Sequence, residues 1–212
     1  RGCETCGDID LLAIGSNGAL MSRFTGFPEV ERILGHGSTK SSVLLQGGVQ
    51  VDLRLVPEES AGAAAQYFTG SKAHNIAVRD LAQQRGLKLN EYGLFRVADD
   101  HQVAGTSETE IYATLGLAHI PPELRENRGE IRAAAADDLP RLIEQADLKG
   151  DVHSHTTATD GKADVKTMAQ AARDAGLEYL AITDHSQALA MANGLDEHRA
   201  LAHARHIREV SE

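Results

Sequence analysis

The sequence has no tryptophan, only four tyrosines and four phenylalanines, and only two cysteines among its 212 residues. Two cysteines cannot build a disulfide framework, and they suit a reducing compartment. They stand as Cys3-Glu4-Thr5-Cys6, without a second pair to complete a zinc site and without the helix start of a redox dithiol, and are read as incidental. No apolar run approaches the ~20 residues of a membrane-spanning helix, and no cationic segment followed by an apolar one opens the chain. The expectation is therefore a cytoplasmic protein with no membrane contact. Positive charge is also scarce: 21 Lys and Arg stand against 31 Asp and Glu, a net charge of −10. Taken alone this argues against nucleic acid. The 42% apolar and 25% charged content fits a globular chain with room for one or two domains.

The first half reads as α+β. Residues 7–14 read as a strand ended by the turn Gly15-Ser16-Asn17-Gly18, and 42–45 and 49–56 form a hairpin about Gly47-Gly48. In its second strand Val49, Val51, Leu53 and Leu55 share one face, and Gln50, Asp52 and Arg54 the other. A helix is predicted over 71–85, with Ala73, Ile76, Ala77 and Leu81 inward and Gly86 after its end. Short strands at 87–89 and 94–97 follow, then a capping box at Ser107–Glu110 before a helix carrying Ile111 and Leu115. Pro121-Pro122 breaks the chain, and 121–147 reads as a polar, Ala-rich linker. From Leu148 the pattern becomes strand, helix, strand, helix: a strand reaching Val152, a helix over 164–175 closed by Gly176, a strand over 179–182, and a helix from Asp196 onward. This is a βα repeat of about two units, too few to close a barrel.

Asp8 and Asp10 lie two residues apart, so both face one side of their strand, and Asp52 lies on the polar face of another. Converging carboxylates repel unless cations separate them, and two divalent ions would also clamp the oxygens of a phosphoryl transfer. Solvated acids at strand edges have the same spacing, so the surroundings must decide. Gly7 allows close approach of a ligand, and Arg1, Lys40, Arg54 and the run Tyr67–Lys72 supply cations and an aromatic platform.

RGCETCGDIDLL, VQVDLRLV, YFTGSKAHNIAVR and LNEYGLF, in this order, resemble the palm and thumb of the family X DNA polymerases over roughly residues 1–120. The resemblance implies a nucleotidyltransferase palm over 1–66 and a thumb over 67–120. It implies Asp8, Asp10 and Asp52 as catalytic residues holding two Mg2+ or Mn2+ ions, with Asp52 facing the primer 3′-hydroxyl. It implies nucleotide contacts from Arg1, Gly7, Tyr67, Phe68, Gly70 and Asn75. DNA contacts are expected from Lys40, Arg54, Lys72, Arg79 and Tyr92. Gln50 and Lys72 depart from the family pattern, where an arginine and an aspartate stand.

In the second half, six of the ten histidines lie between His153 and His206. His153-Ser154-His155 follows a strand, Asp160 sits in a turn, and Asp184-His185 follows the next strand. Imidazole and carboxylate at adjacent strand ends suit zinc, manganese or iron. GDVHSHTTATDGKADV and GLEYLAITDH resemble the opening of a PHP (polymerase and histidinol phosphatase) domain, an α/β barrel of the (β/α)7 type, here incomplete over 148–212. The resemblance implies His153, His155, Asp160 and His185 as ligands of Mn2+ or Zn2+, and leaves His198, His203 and His206 on the helix surface.

A family X palm and thumb followed by a PHP domain implies template-directed addition of deoxynucleotides to a primer 3′ end in gapped or primer–template DNA. A metal-dependent 3′–5′ exonuclease or phosphodiesterase is implied alongside, within base excision repair, in a monomer. The chain opens on Arg1 rather than Met and is expected to be an internal piece. Two other readings stay open: a histidinol-phosphatase-like phosphoesterase with a vestigial nucleotidyltransferase, and a non-catalytic DNA-binding module. Residues 66–96 carry five basic side chains (Lys72, Arg79, Arg85, Lys88, Arg96) against Asp80 and Glu91, so the net charge conceals a basic stretch where DNA is expected.

Overall fold

A computed structural model describes residues 1–15 and 18–211 and divides into two units, Arg1–Pro140 and Arg141–Glu212. The expected turn at Gly15–Gly18 falls partly on residues 16 and 17, outside the described residues.

The first unit opens with β1 (Asp8–Ile14), α1 (Leu20–Thr25), β2 (Val30–His36), β3 (Lys40–Leu45) and β4 (Gln50–Val56). These strands form one sheet in the order β1-β4-β3-β2, with β1 parallel to β4 and the other pairs antiparallel. The β3–β4 hairpin is the one expected around Gly47-Gly48. Strand β2 escaped the sequence reading because its residues, VERILGH, are almost all exposed and its register slips twice, which erases a clean alternation. Val43, Val51 and Leu53 are buried on the apolar face of the sheet.

Two helices follow, α2 (Ala61–Thr69) and α3 (Lys72–Gln84). The sequence signalled only the second, because AGAAAQYFT offers little polar contrast from which to read a period. α2 packs closely on a segment distant in sequence: a Cβ on Gly62 would overlap the Ser107 backbone. α3 is capped by Ser71, whose hydroxyl accepts from the His74 N–H, and Gly86 follows at φ +70°. Its inward face differs from the expected one. Val78 and Ala82 are buried together with polar His74 and Asn75, whereas Ile76 and Ala73 are exposed. The helix is turned because two polar side chains find buried partners, which hydrophobic spacing alone cannot reveal.

A three-stranded antiparallel sheet of β5 (Leu87–Asn90), β6 (Gly93–Arg96) and β7 (Gln102–Ala104) leads to α4 (Glu108–Thr114). Ser107 caps α4 by accepting from the Glu110 N–H. Half of the expected capping box is shifted, since the Glu110 carboxylate accepts from the Gly105 and Thr106 N–H groups. The main core joins Ala63, Val78, Leu89, Leu94, Ile111, Tyr112, Leu115 and Ile120.

The stretch expected as a linker over 121–147 is largely part of this unit. It forms a short 3-10 turn at Pro122–Leu124 and α5 (Glu130–Ala135), and Leu124, Ile131, Ala134 and Leu139 pack on the core. Its Ala-rich, polar composition hid this because the tethers are polar: Arg125 and Glu130 are buried and hydrogen-bonded.

The second unit contains β8 (Gly150–Ser154), α6 (Val165–Asp174), β9 (Tyr179–Ile182) and α7 (Glu197–Ser211), with β8 and β9 parallel. Asp164 caps α6 through the Thr167 N–H. The first strand runs two residues further than expected, so His153 lies within it rather than after it. Among the described residues no helix is long and apolar enough to cross a membrane.

Candidate active-site cleft and metal cluster

Parallel pairing of β1 with β4 sets Asp10 opposite Asp52, and Asp8, two residues earlier, falls on the same face as Asp10. Asp52 is buried. Its Oδ2 lies 2.8 Å from Lys40 Nζ, and its Oδ1 accepts from Gln50 Nε2 at 3.0 Å. Burial alone would raise the Asp52 pKa, but hydrogen bonds from Lys40, Gln50 and Ser42 outweigh it and hold the carboxyl below its ordinary value. Asp10 shifts the other way, raised by burial and by the neighbouring charges of Asp8 and Asp52. Three oxygen-only donors that repel one another, one of them already holding an ammonium, fit a hard divalent cation such as Mg2+ or Mn2+. Lys40 and Arg54, expected on DNA, are engaged here: Lys40 on Asp52, and Arg54 over the Phe68 ring at 4.6 Å.

Two adjoining clefts of about 690 and 710 Å3 share Arg1, Asp8, Asp10 and Phe68. The second adds Tyr67, Gly70, Lys72, Asn75 and Arg79, and the first adds Gly7. The residues assigned to nucleotide contact from the sequence thus meet in one place. Arg1 is held there by Glu126 Oε1 at 2.7 Å and by the Thr69 carbonyl at 2.6 Å. Gly70 sits at φ +70°, and a Cβ there would come within 3.2 Å of the Arg1 guanidinium. Asn75 is more occupied than a solvated helix position would be: its Nδ2 donates to the Tyr67 carbonyl at 2.7 Å and its Oδ1 accepts from Gln66 at 2.8 Å. Tyr92, expected on DNA, is exposed in the β5–β6 turn and lines neither of these clefts. Cys3 and Cys6, set aside from the sequence, are exposed and line the cleft beside Asp8 and Asp10. Their position one turn before the D-x-D strand was the available signal.

In the second unit His155, Asp160 and His185 place ligand atoms within 4.8 Å of one another, the one such cluster among the described residues. His155 Nδ1 is 3.7 Å from Asp160 Oδ1, and His185 Nε2 is 3.5 Å from Asp160 Oδ2. The two imidazoles stack at 4.4 Å, and His155 Nδ1 is buried with no hydrogen-bond partner. An orphaned imidazole nitrogen beside a carboxylate and a second imidazole fits a zinc or manganese donor set. His153 stands outside the cluster and is exposed, its ring 5.1 Å from that of His155.

Asp184 supports the cluster. Its carboxylate accepts from the Thr156 N–H and hydroxyl, from the Thr159 hydroxyl and, at 2.7 Å, from His203 Nε2. Burial opposes ionisation of Asp184, but these bonds prevail and keep its pKa low. His203, expected on the helix surface, is instead turned inward onto this carboxylate, while His198 and His206 are exposed as expected. An amphipathic count misses it because His203 is drawn in by a charge.

Residues 64–126 match the family described as DNA polymerase beta thumb. Over 210 residues, 98% of its length, the chain is 39% identical to the DNA polymerase/3′-5′ exonuclease PolX of Bacillus subtilis, and it spans 36% of that protein. It is 36% identical over 78 residues to the human DNA-directed DNA/RNA polymerase mu, covering 36% of this chain and 16% of that protein. A Leishmania infantum polymerase beta structure, a ternary P/T complex, aligns with 57% of this chain and 62% of its own at 24% identity and a TM-score of 0.49.

Proposed function

Because the chain belongs to the family X DNA polymerases, we propose that its first unit adds deoxynucleotides to a primer 3′ end on template DNA. The observation that carries this reading is that Asp10, which lines a cleft with Arg1, Asp8, Tyr67, Phe68, Asn75 and Arg79, is paired with Asp52 on the neighbouring strand. Asp8, Asp10 and Asp52 would hold two Mg2+ or Mn2+ ions, which when bound neutralise phosphate charge and polarise the phosphoryl oxygens. Asp52, kept ionised by Lys40, Gln50 and Ser42, accepts the proton of the primer 3′-hydroxyl as that oxygen bonds to the α-phosphorus and pyrophosphate leaves. Arg1 serves the phosphates, Tyr67 and Gly70 the sugar, and Asn75 and Arg79 the base and the template. Lys72 stands exposed at the cleft for the DNA backbone, and the acceptor is gapped or primer–template DNA of base excision repair.

The second unit is the opening of a PHP-type metal-dependent phosphodiesterase, built on His155, Asp160 and His185. The exonuclease named in the Bacillus relative supports this assignment. The whole protein acts as a cytoplasmic monomer.

The test is primer extension across a one-nucleotide gap by the full-length protein. Asp52→Ala lowers the extension rate by at least about a hundredfold, the usual yield of a positioned base. Unchanged extension overturns the polymerase assignment.

A further inference from the structure

An apolar residue at position 74 would close the core of the first unit as well as any, yet the position holds a histidine that is wholly buried. Burying polar atoms is costly unless each finds a partner, and here each does. His74 Nδ1 lies 2.7 Å from Glu130 Oε1, and His74 Nε2 lies 2.8 Å from the Tyr112 hydroxyl. The Glu130 carboxylate accepts as well from the N–H groups of Asn127 and Arg128, at 2.8 and 2.7 Å, so it acts as an acceptor throughout. His74 Nδ1 must therefore carry the proton that faces it.

Burial lowers the His74 pKa against the pull of Glu130, so the ring is neutral and its Nε2 accepts from the Tyr112 O–H. Burial likewise pushes Tyr112 up to about 12, so it keeps that proton. Gln66, wholly buried, donates from its Nε2 to Asn75 Oδ1 at 2.8 Å. Asn75 then has one arrangement open to it: Oδ1 towards Gln66 and Nδ2 towards the Tyr67 carbonyl. Both Tyr67 and Asn75 line the cleft. The same C-terminal stretch grips the start of α3 directly, since the Ser71 N–H donates to the Arg125 carbonyl at 3.0 Å.

We propose that Glu130, His74 and Tyr112 form a buried hydrogen-bond relay that pins the first turn of α3, so that the amide of the neighbouring Asn75 keeps its bonds to Gln66 and the Tyr67 carbonyl in the nucleotide cleft. His74 and Tyr112 are thereby positioning residues for the incoming nucleotide. The segment beyond the thumb, with Glu130 as anchor, becomes part of the nucleotide site although none of it enters the relay's end of the cleft. This rests on the polymerase reading above.

Three variants separate positioning from packing. Tyr112→Phe keeps the ring, which packs under the Arg125 guanidinium at 5.3 Å, and removes only the hydroxyl. His74→Leu removes both ring nitrogens, whereas His74→Gln supplies one amide donor and one acceptor. In the full-length protein on gapped DNA, Tyr112→Phe and His74→Leu should raise the deoxynucleotide KM about tenfold with kcat within about threefold, and His74→Gln should restore KM to within about threefold of wild type. An unchanged KM in Tyr112→Phe, or equal damage by all three, overturns the relay.

If the wild-type protein extends no primer, the polymerase reading fails and the relay is judged by exchange of the Asn75 side-chain amide protons in 15N-asparagine-labelled protein. Slow exchange in wild type and His74→Gln with fast exchange in Tyr112→Phe and His74→Leu supports it. The same exchange rate in all four overturns it.

Discussion

Lys40 Nζ sits 2.8 Å from Asp52 Oδ2, so the carboxylate expected to bind a divalent ion is held by a side-chain cation. Lys40 and Asp52 approach because Ser42 faces Asp52 and Lys40 faces Arg54 in the β3–β4 register. An ion entering this site has to share Asp52 with Lys40 or displace it. The ammonium is partly exposed, so solvent screening leaves it a penalty of about 1 kcal/mol on an incoming cation. Lys40→Met should therefore tighten Mn2+ binding about fivefold, read by Mn2+ electron paramagnetic resonance on the full-length protein, and Asp52→Asn should weaken it. Weaker Mn2+ binding in Lys40→Met would make Lys40 a helper of the ion rather than its competitor.

What the sequence disclosed depended on range. The facing of Asp8 with Asp10, and of Gln50 with Asp52 and Arg54, follows from a period of two and was legible. The parallel pairing of β1 with β4 joins segments some forty residues apart, and no local period encodes it. The burial of His74, Arg125 and Glu130 and the inward turn of His203 went unread for one shared reason: each is a polar residue drawn inward by a specific partner. Patterns of apolar residues register such positions as surface. The aspartate and histidine clusters stood out because their spacing is local, and His153, expected among the ligands, lies outside the tight group because spacing fixes a face without fixing a distance.

Glu108, the first residue of α4, ties the wholly buried Arg125 at 2.6 Å. Burial opposes the charge on Glu108, but Arg125 and then His119 outweigh it and draw its pKa below the ordinary 4.5. A depressed carboxylate contributes stability that is present above pH 4.5 and lost as pH falls through the native value. Glu108→Gln leaves Arg125 buried without its counter-ion, at a cost of about 3 kcal/mol at pH 7. Urea unfolding at pH 7, 4.5 and 3 should show the wild type losing that advantage on acidification, with a flatter profile for the variant. Parallel profiles would mean that the pair contributes nothing specific.

Cys3 and Cys6 line the same cleft as Asp8 and Asp10, and Cys3 Sγ lies 3.7 Å from Arg1 Nη2. A nucleotide whose phosphates reach Arg1 should then cover both thiols. Alkylation by iodoacetamide, followed by mass spectrometry of the full-length protein, should slow at least about threefold when a deoxynucleotide and Mg2+ are present with gapped DNA. The Arg1→Ala variant should lose that protection. Protection by DNA alone, without nucleotide, would place the phosphates elsewhere.

The second unit makes its own prediction, and the buried, unpartnered Nδ1 of His155 decides it. A ligand removed from the tight group of His155, Asp160 and His185 takes away a donor already aimed at its neighbours. His153 is exposed and outside that group, so its removal takes away less. His155→Ala or His185→Ala should weaken Zn2+ or Mn2+ binding by the full-length protein more than about tenfold, and His153→Ala no more than about threefold. Calorimetric titration with Asp8, Asp10 and Asp52 changed to Asn isolates this site from the first unit. Manganese-dependent nuclease activity should fall in the same order, while primer extension on the wild-type aspartate background stays within twofold. Equal losses from His153→Ala and His155→Ala would restore His153 as a full ligand, and loss of extension alongside nuclease activity would refute two separate sites.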